Sequence, residues 1–145
     1  MRSRFGKLSR PGRRGGAVLE MALALPWLFF FFVGALDLGF FTYALVSVES
    51  AARVAALHTS KFGAADSAAA CTSALGEMRS LPNVGNVLTT CAADPVVVTA
   101  TAVNGPDGNP ATLVSVTYQS IRLIPIPGVL ASQFRWTRAV KMSVR

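Results

Sequence analysis

A chain of 145 residues has room for one ordinary domain. Its composition, 52% hydrophobic and only 14% charged, is too apolar for a disordered protein and typical of a membrane-associated one. The net charge of +7 comes almost wholly from residues 1–15, because residues 16–145 carry eight basic and seven acidic side chains. This distribution predicts a cytoplasmic flank before a membrane span, and we expect no direct contact with nucleic acid.

The chain begins with a basic leader, residues 1–15, which is predicted to be disordered in the cytoplasm. From Gly16 the sequence is apolar, and a helix of about 20 residues crosses a hydrocarbon core of roughly 30 Å. Counted from Arg14 at the inner surface of the membrane, the helix reaches the outer surface near Leu36. Asp37 is therefore predicted to lie at the outer membrane boundary. The sequence predicts a transmembrane and stalk helix over residues 16–62. Its interfacial aromatic residues are predicted to be Phe40, Phe41 and Tyr43.

The stalk half of this helix, Ala44–Lys61, contains no glycine or proline. Glu49 precedes Arg53 by four residues, the order that favours an ion pair. Together with Asp37, these two residues are predicted to take part in stalk packing. Four apolar residues are predicted to lie near one side of the stalk: Ala51, Val54, Ala55 and Leu57. We expect the stalk to need partner helices, because a small head cannot cover its full length.

Residues 63–145 are predicted to form a small periplasmic α+β head. Gly63 is predicted to end the long helix, and Asp66 or Ser67 to cap a second helix that extends to about Met78. The buried face of this second helix is predicted from apolar spacing to contain Ala68, Cys71, Leu75 and Met78.

The rest of the head is predicted to be a small antiparallel sheet, because apolar residues recur with a period of two after a loop at Leu81–Cys91. The predicted strands, three or so, are Val96–Val103, Thr112–Gln119 and Phe134–Arg145. Ile121–Leu130, with two prolines and a glycine, is predicted to be an irregular apolar crossing. Arg138 interrupts the apolar row of the last strand. It is either a sheet-edge or partner-contact residue, or an arginine that snorkels from an apolar site.

The two cysteines, Cys71 and Cys91, both follow the apolar run and would be exported together. A disulfide between them would close a loop of about 20 residues, and we expect it to contribute roughly 3 kcal/mol of stability. Two buried free thiols are the alternative. Two cysteines and the single His58 do not form a zinc ligand set, so we expect no metal.

The sequence contains no recognisable enzyme motif, and we expect neither catalysis nor a cofactor. Asp107, Gly108 and Asn109 resemble part of a calcium loop, but the other ligand positions are missing, which favours a simple turn. Glu20 is the residue that a plain membrane anchor does not explain. A carboxylate about one turn inside the bilayer must be protonated, snorkelling or paired.

The apolar helix, GGAVLEMALALPWLFFFFVGALDLGFFTYALVSVESAARVAA, resembles the amino-terminal region of TadE-like proteins, pseudopilins of the tight-adherence (Tad, Flp-type) pilus system. The segments LVSVTYQSIRLIPIP and RAVKMSVR resemble the end of the same family. The resemblance implies that a prepilin peptidase cuts after a glycine and leaves glutamate as the fifth mature residue. A cut after Gly15 meets this spacing for Glu20, whereas a cut after Gly16 would leave Glu20 fourth, so we favour Gly15. Further shared positions are Pro26, Asp37, Gly39, Ala51, Ala52 and Arg53.

The resemblance implies a minor pilin or pseudopilin with a pilin-like fold, anchored once in the bacterial inner membrane with a cytoplasmic amino end and a periplasmic head. The implied partners are the prepilin peptidase, other pilins or pseudopilins and the assembly platform, in a hetero-oligomer that primes, assembles or joins a pilus for adhesion, secretion or DNA uptake. The amine of a new first residue, Gly16, would pair with Glu20. Many relatives have a second arginine where this chain has Ala56, Leu57 and His58.

Two alternatives remain open. The first is an uncleaved, signal-anchored envelope protein whose head binds a partner, which leaves Glu20 unexplained. The second is an exported enzyme released by signal peptidase, which conflicts with the long apolar run and the lack of a catalytic set.

Overall fold

The computed structural model describes residues 14–61, 63, 65–85, 87–122 and 133–144. It contains two helices, α1 (Arg14–Lys61) and α2 (Ser67–Met78), and one antiparallel sheet. The strands are β1 (Ala92–Ala93), β2 (Val96–Asn104), β3 (Pro110–Gln119) and β4 (Arg135–Ser143). This arrangement confirms the predicted α+β class, with one long apolar helix, one short helix and a small antiparallel sheet.

The chain divides into two structural units, Met1–Leu36 and Asp37–Arg145, although α1 is assigned as helix across their boundary. The second unit contains the whole sheet and also the outer half of α1. The compact head therefore begins at Asp37, rather than at residue 63 as the sequence suggested. The predictions for the basic leader and for most of Ile121–Leu130 lie outside the described residues.

Local sequence explains where the two helices end and begin. Gly63 has a φ of +66°, a left-handed conformation that glycine adopts without steric cost, and α1 ends two residues earlier at Lys61. Asp66 then caps α2, since its carboxylate accepts a hydrogen bond from the Ala68 amide at 2.8 Å. The predicted boundaries of the second helix are confirmed.

The sheet has the strand order β1-β2-β3-β4, with every neighbouring pair antiparallel. Even-numbered residues of its three long strands face the core, as the alternating pattern predicted. The fully or largely buried members of β2 and β3 are Val96, Val98, Ala100, Ala111, Thr112, Val114, Val116 and Tyr118, of which Ala111 alone is odd-numbered. In β4 the corresponding row is only half-buried, and Arg138 is exposed. The two-residue strand β1 is an element that the sequence analysis did not predict.

The outer half of α1 forms one wall of the core of the head. Six of its residues are fully buried: Ala44, Val48, Ala51, Ala52, Ala55 and Ala56. Because alanine ends at Cβ, this face can pack closely against other elements. The head therefore covers one face of the stalk, and the expectation that partner helices pack on the stalk stays a prediction. Two side-chain orientations differ from prediction, since Leu57 is 55% exposed and Ala68 of α2 is exposed.

α2 covers the core with Ala70, Cys71, Ala74, Leu75 and Met78. The Cys71 and Cys91 sulfurs form a disulfide, with Cα atoms 5.7 Å apart. This bond joins α2 to the residue that immediately precedes β1, so it closes the irregular stretch between them.

A buried polar pair holds this irregular stretch against the sheet. The Tyr118 hydroxyl donates to Asn83 Oδ1 at 2.6 Å, and Asn83 Nδ2 donates to the Gln119 carbonyl at 2.7 Å. Burial raises the pKa of Tyr118 to about 12, and the hydrogen bond with Asn83 offsets part of this rise. The phenol therefore stays neutral and remains a hydrogen-bond donor at physiological pH.

Candidate functional site

The amino end of α1 carries the predicted processing site and the intramembrane acid. α1 begins at Arg14, and a Cβ added to Gly16 would meet nothing within 4 Å. Glu20 follows one helical turn later and is exposed. Within the part of the chain that the structure describes, its carboxylate has no hydrogen bond or ion pair. This geometry leaves the acid available to a group outside the described part of the chain.

The apolar run after Glu20 is exposed along its length. α1 contains the one segment among the described residues that is long and apolar enough to cross a membrane, and none of that segment is buried within the protein. Large side chains are open to the surroundings on all its faces: Val18, Leu23, Leu25, Trp27, Leu28, Phe29, Phe30, Phe31, Phe32 and Leu36. A helix that is apolar all round fits a single membrane span near the amino end.

Asp37 lies where the exposed apolar run gives way to the head. Its Oδ2 atom is buried and has no hydrogen-bond partner among the described residues, and the same is true of Trp136 Nε1. One turn after Asp37, the ring of Phe41 lies 5.0 Å from those of both Phe134 and Trp136. Tyr43 donates a hydrogen bond to Ser80 Oγ at 2.6 Å. Phe41 and Tyr43, predicted as membrane-interface residues, thus make contacts within the head.

Further along α1, Glu49 and Arg53 form the ion pair that their spacing allows. Both side chains are substantially exposed, at 46% and 65% respectively. Exposed i,i+4 pairs contribute little stability, so the pair chiefly sets the charge pattern of this face. Ser50 Oγ lies 3.4 Å from the carboxylate of Glu77 in α2, a further polar contact between the two helices.

A comparison with protein families identifies the segment that carries these features. Residues 15–57 match the TadE-like protein family. The match confirms the resemblance that the sequence indicated, and it implies association with a Tad-type pilus system. It covers less than a third of the chain, from the candidate cleavage site to the exposed Leu57. Comparison with curated proteins and with solved structures gives no match.

The structure assigns different positions to the residues of the TadE-like segment. Ala51 and Ala52 of the AAR motif are fully buried in the head, whereas the neighbouring Arg53 is exposed. His58 is also exposed. The two alanines therefore pack the core, and Arg53 is the motif residue that another molecule can reach.

Asp107, Gly108 and Asn109, which resemble part of a calcium loop, form a turn. The main-chain amide of Gly105 donates to the Asn109 carbonyl at 2.7 Å, and Gly108 has a φ of +74°. The predicted turn is confirmed. Among the described residues, no group of three or more His, Cys, Asp or Glu side chains is placed to hold a metal ion.

Replacing Ala52 with leucine is expected to destabilise the head by about 1–3 kcal/mol, because extra methylene groups cannot fit at a fully buried position. Val46→Leu is the matched control, since Val46 lies on the same helix but is 68% exposed. Urea denaturation in detergent measures the free energy of unfolding of both variants and of the unaltered chain. Equal stability of Ala52→Leu and the unaltered chain would show that this face is less tightly packed than the structure indicates.

Sequence reasoning missed the aromatic cluster formed by Phe41, Phe134, Trp136 and Tyr118. Its members come from α1, the residue before β4, β4 itself and β3. The sequence offered one signal, namely that Phe134 and Trp136 occupy the apolar row of the last strand. It offered none for the choice of Phe41 as their partner.

Proposed function

We propose that this chain is a minor pilin or pseudopilin of a Tad-type pilus. A prepilin peptidase removes the basic leader on the cytoplasmic side of the inner membrane, and the mature α1 then packs beside the helices of other pilins. The chain has no catalytic role and needs no cofactor. The periplasmic head remains attached to the assembling helix and takes part in priming or building the pilus.

The observation that carries this proposal is the position of Glu20. It lies on an exposed apolar helix, inside the TadE-like segment, without a partner in the described part of its own chain. A carboxylate in the hydrocarbon layer is stabilised by a nearby positive charge. Cleavage after Gly15 creates such a charge, the amine of Gly16, one helical turn away from Glu20.

Mass spectrometry of the full chain tests the processing step. The protein is expressed with and without a prepilin peptidase and extracted from the membrane. We expect a mature species that begins at Gly16 only when the peptidase is present, and Gly15→Val is expected to block its formation. A species that begins one residue later would move the cut to the bond after Gly16.

An intact amino end in the presence of an active peptidase would overturn the processing proposal. A previously established pilin precursor, expressed in the same cells, shows that the peptidase is active. The intact chain would then be better described as a signal-anchored envelope protein, the alternative that needs no role for Glu20.

A further inference from the structure

β4 is the outer strand of the sheet, and no described residue pairs with its outer edge. The strand pairs with β3 from Arg135↔Gln119 to Ser143↔Ala111. On its other edge, β4 makes no backbone hydrogen bond to any described residue. An edge strand of nine residues presents a row of unpaired N–H and C=O groups to its surroundings.

The opposite side of the sheet is partly covered, along the first half of β2. There, β1 pairs with the start of β2, and the Val98 amide donates to the Cys91 carbonyl at 3.0 Å. The next outward amide of β2, that of Ala100, donates to Ser67 Oγ at 3.0 Å. Main-chain and side-chain acceptors therefore cover the first half of β2, whereas no described residue supplies them along the outer edge of β4.

Arg138 is exposed in the middle of β4. It belongs to the core-facing row, between the half-buried Trp136 and Val140, yet it is exposed. Its neighbours Thr137 and Ala139 are exposed as well, so both faces of the strand are open here. The guanidinium of Arg138 has no hydrogen bond or ion pair within the described part of the chain.

An open groove of about 460 Å³ lies beside this point, and we refer to it as the β4 groove. Its lining residues are Glu49, Arg53, Arg138, Ala139, Val140 and Lys141. Three of them are cationic and one is anionic, and that carboxylate is already paired with Arg53. Lys141 Nζ donates to the Asn104 carbonyl, a contact that leaves its charge uncompensated. The groove thus combines excess positive charge with unpaired main-chain groups.

We propose that the β4 groove binds an extended acidic segment of a partner protein, which adds to β4 as a further strand. Main-chain hydrogen bonds to the free edge would supply affinity that does not depend on sequence. Carboxylates of the segment would pair with Arg138 and Lys141, which selects acidic strands over neutral or basic ones. The inference does not rest on the proposed function, because the groove is remote in sequence from Gly15 and Glu20.

Charge excludes a second copy of this chain as the occupant. Two β4 strands placed edge to edge would bring Arg138 and Lys141 of each copy together, and the strand contains no acidic residue. Distance disfavours a lipid headgroup. Arg53 lies sixteen residues after Asp37, about 24 Å further along α1, which places it beyond the headgroups of a bilayer that ends near Asp37.

Fluorescence anisotropy with synthetic peptides tests the proposal on the full, detergent-solubilised chain. The probe is a labelled peptide of about ten residues in which glutamate alternates with valine and threonine. We expect it to bind, and we expect a lysine-for-glutamate peptide not to bind. Arg138→Glu should weaken binding by about tenfold or more, and Arg138→Gln by less, because only the first variant reverses the charge. Arg122→Glu, which changes an exposed arginine outside the groove, should bind like the unaltered chain.

Hydrogen exchange distinguishes strand addition from simple charge attraction. With the acidic peptide bound, the amides of β4 that do not bond to β3 should become protected, and a peptide with proline at alternate positions should give no protection. Binding of the acidic peptide without this protection would overturn the added strand. Failure of the glutamate peptide to bind would overturn the proposal. Arg138 would then act only to discourage edge pairing.

Vesicles of phosphatidylglycerol form the last arm of the test. If they bind the chain through Arg138 while the acidic peptide does not, the groove recognises a lipid surface and the protein-partner proposal is wrong. Thermal unfolding of each Arg138 variant confirms that the head remains folded. Processing at Gly15 is measured separately, so a failure of this proposal leaves the pilin proposal unaffected.

Discussion

Glu20→Ala is expected to be inserted and cleaved normally but to be lost from the pilus. The substitution leaves the basic leader and the apolar run unchanged, so targeting and cleavage should not change. It removes the carboxylate that the Gly16 amine of the mature chain would meet in a layer of low dielectric constant. We expect the amount of the protein in sheared pilus fractions to fall by about tenfold or more, measured by immunoblot against the total mature protein.

Two variants separate charge from packing at this position. Glu20→Gln keeps the size of the side chain and should fail in the same way as Glu20→Ala if pairing is electrostatic. Leu19→Ala removes an adjacent exposed side chain without changing charge and should be incorporated normally. Normal assembly of both Glu20 variants would show that the acid has no part in helix packing.

Removal of the disulfide by Cys71→Ser with Cys91→Ser is expected to destabilise the head by about 3 kcal/mol. The bond closes a stretch of 20 residues, in which regular structure ends with Met78 and does not resume before Ala92. Without it, this stretch would be held to the core only by the packing of Leu81 and Val84, which are 0% and 2% exposed, and by the hydrogen bonds of Asn83. The first site of limited proteolysis should therefore fall between α2 and β1.

Trp136 reports this loss directly, because its ring contacts those of Phe41 and Tyr118. In a Trp27→Phe background it is the one remaining tryptophan, and its fluorescence follows urea denaturation of the head in detergent. Reductant should lower the urea midpoint of unfolding of the unaltered chain by as much as the double substitution does. It should not change the midpoint of the double variant. An unchanged midpoint under both treatments would contradict a stabilising role for the bond.

Much of this fold follows from short-range patterns in the sequence. The long apolar run, Gly63 and the cap at Asp66 determine where the helices end and begin, since each acts within one or two turns of the chain. Alternation with a period of two located β2, β3 and β4 in the same way. The two-residue strand β1 is too short to show such a pattern. It directly follows Cys91, whose disulfide joins it to α2, and it pairs with the start of β2.

Errors arose where distant segments decide which side of an element is buried. The alanines of the outer α1 helix gave no indication that the sheet and α2 would cover them, because small residues suit both the core of a head and the interface between chains. Ala68 was predicted to be buried because a short series of apolar residues is compatible with more than one buried face of a helix. The apolar run was more predictable, since it is contiguous in sequence and depends little on tertiary contacts. The cleavage site at Gly15 and Gly16 and the role of Glu20 stay predictions.

The participation of α1 in the core determines how the head can be separated from the membrane. Phe41 contacts β4, and the buried face of the helix starts at Ala44. A soluble fragment must therefore start close to Asp37. A fragment that starts after Gly63 would lack Ala52 and Ala55 and would expose the part of the core that they cover. A protease that releases the head intact would likewise have to cut within α1, near Leu36, so the released head would keep the outer half of its own anchor helix.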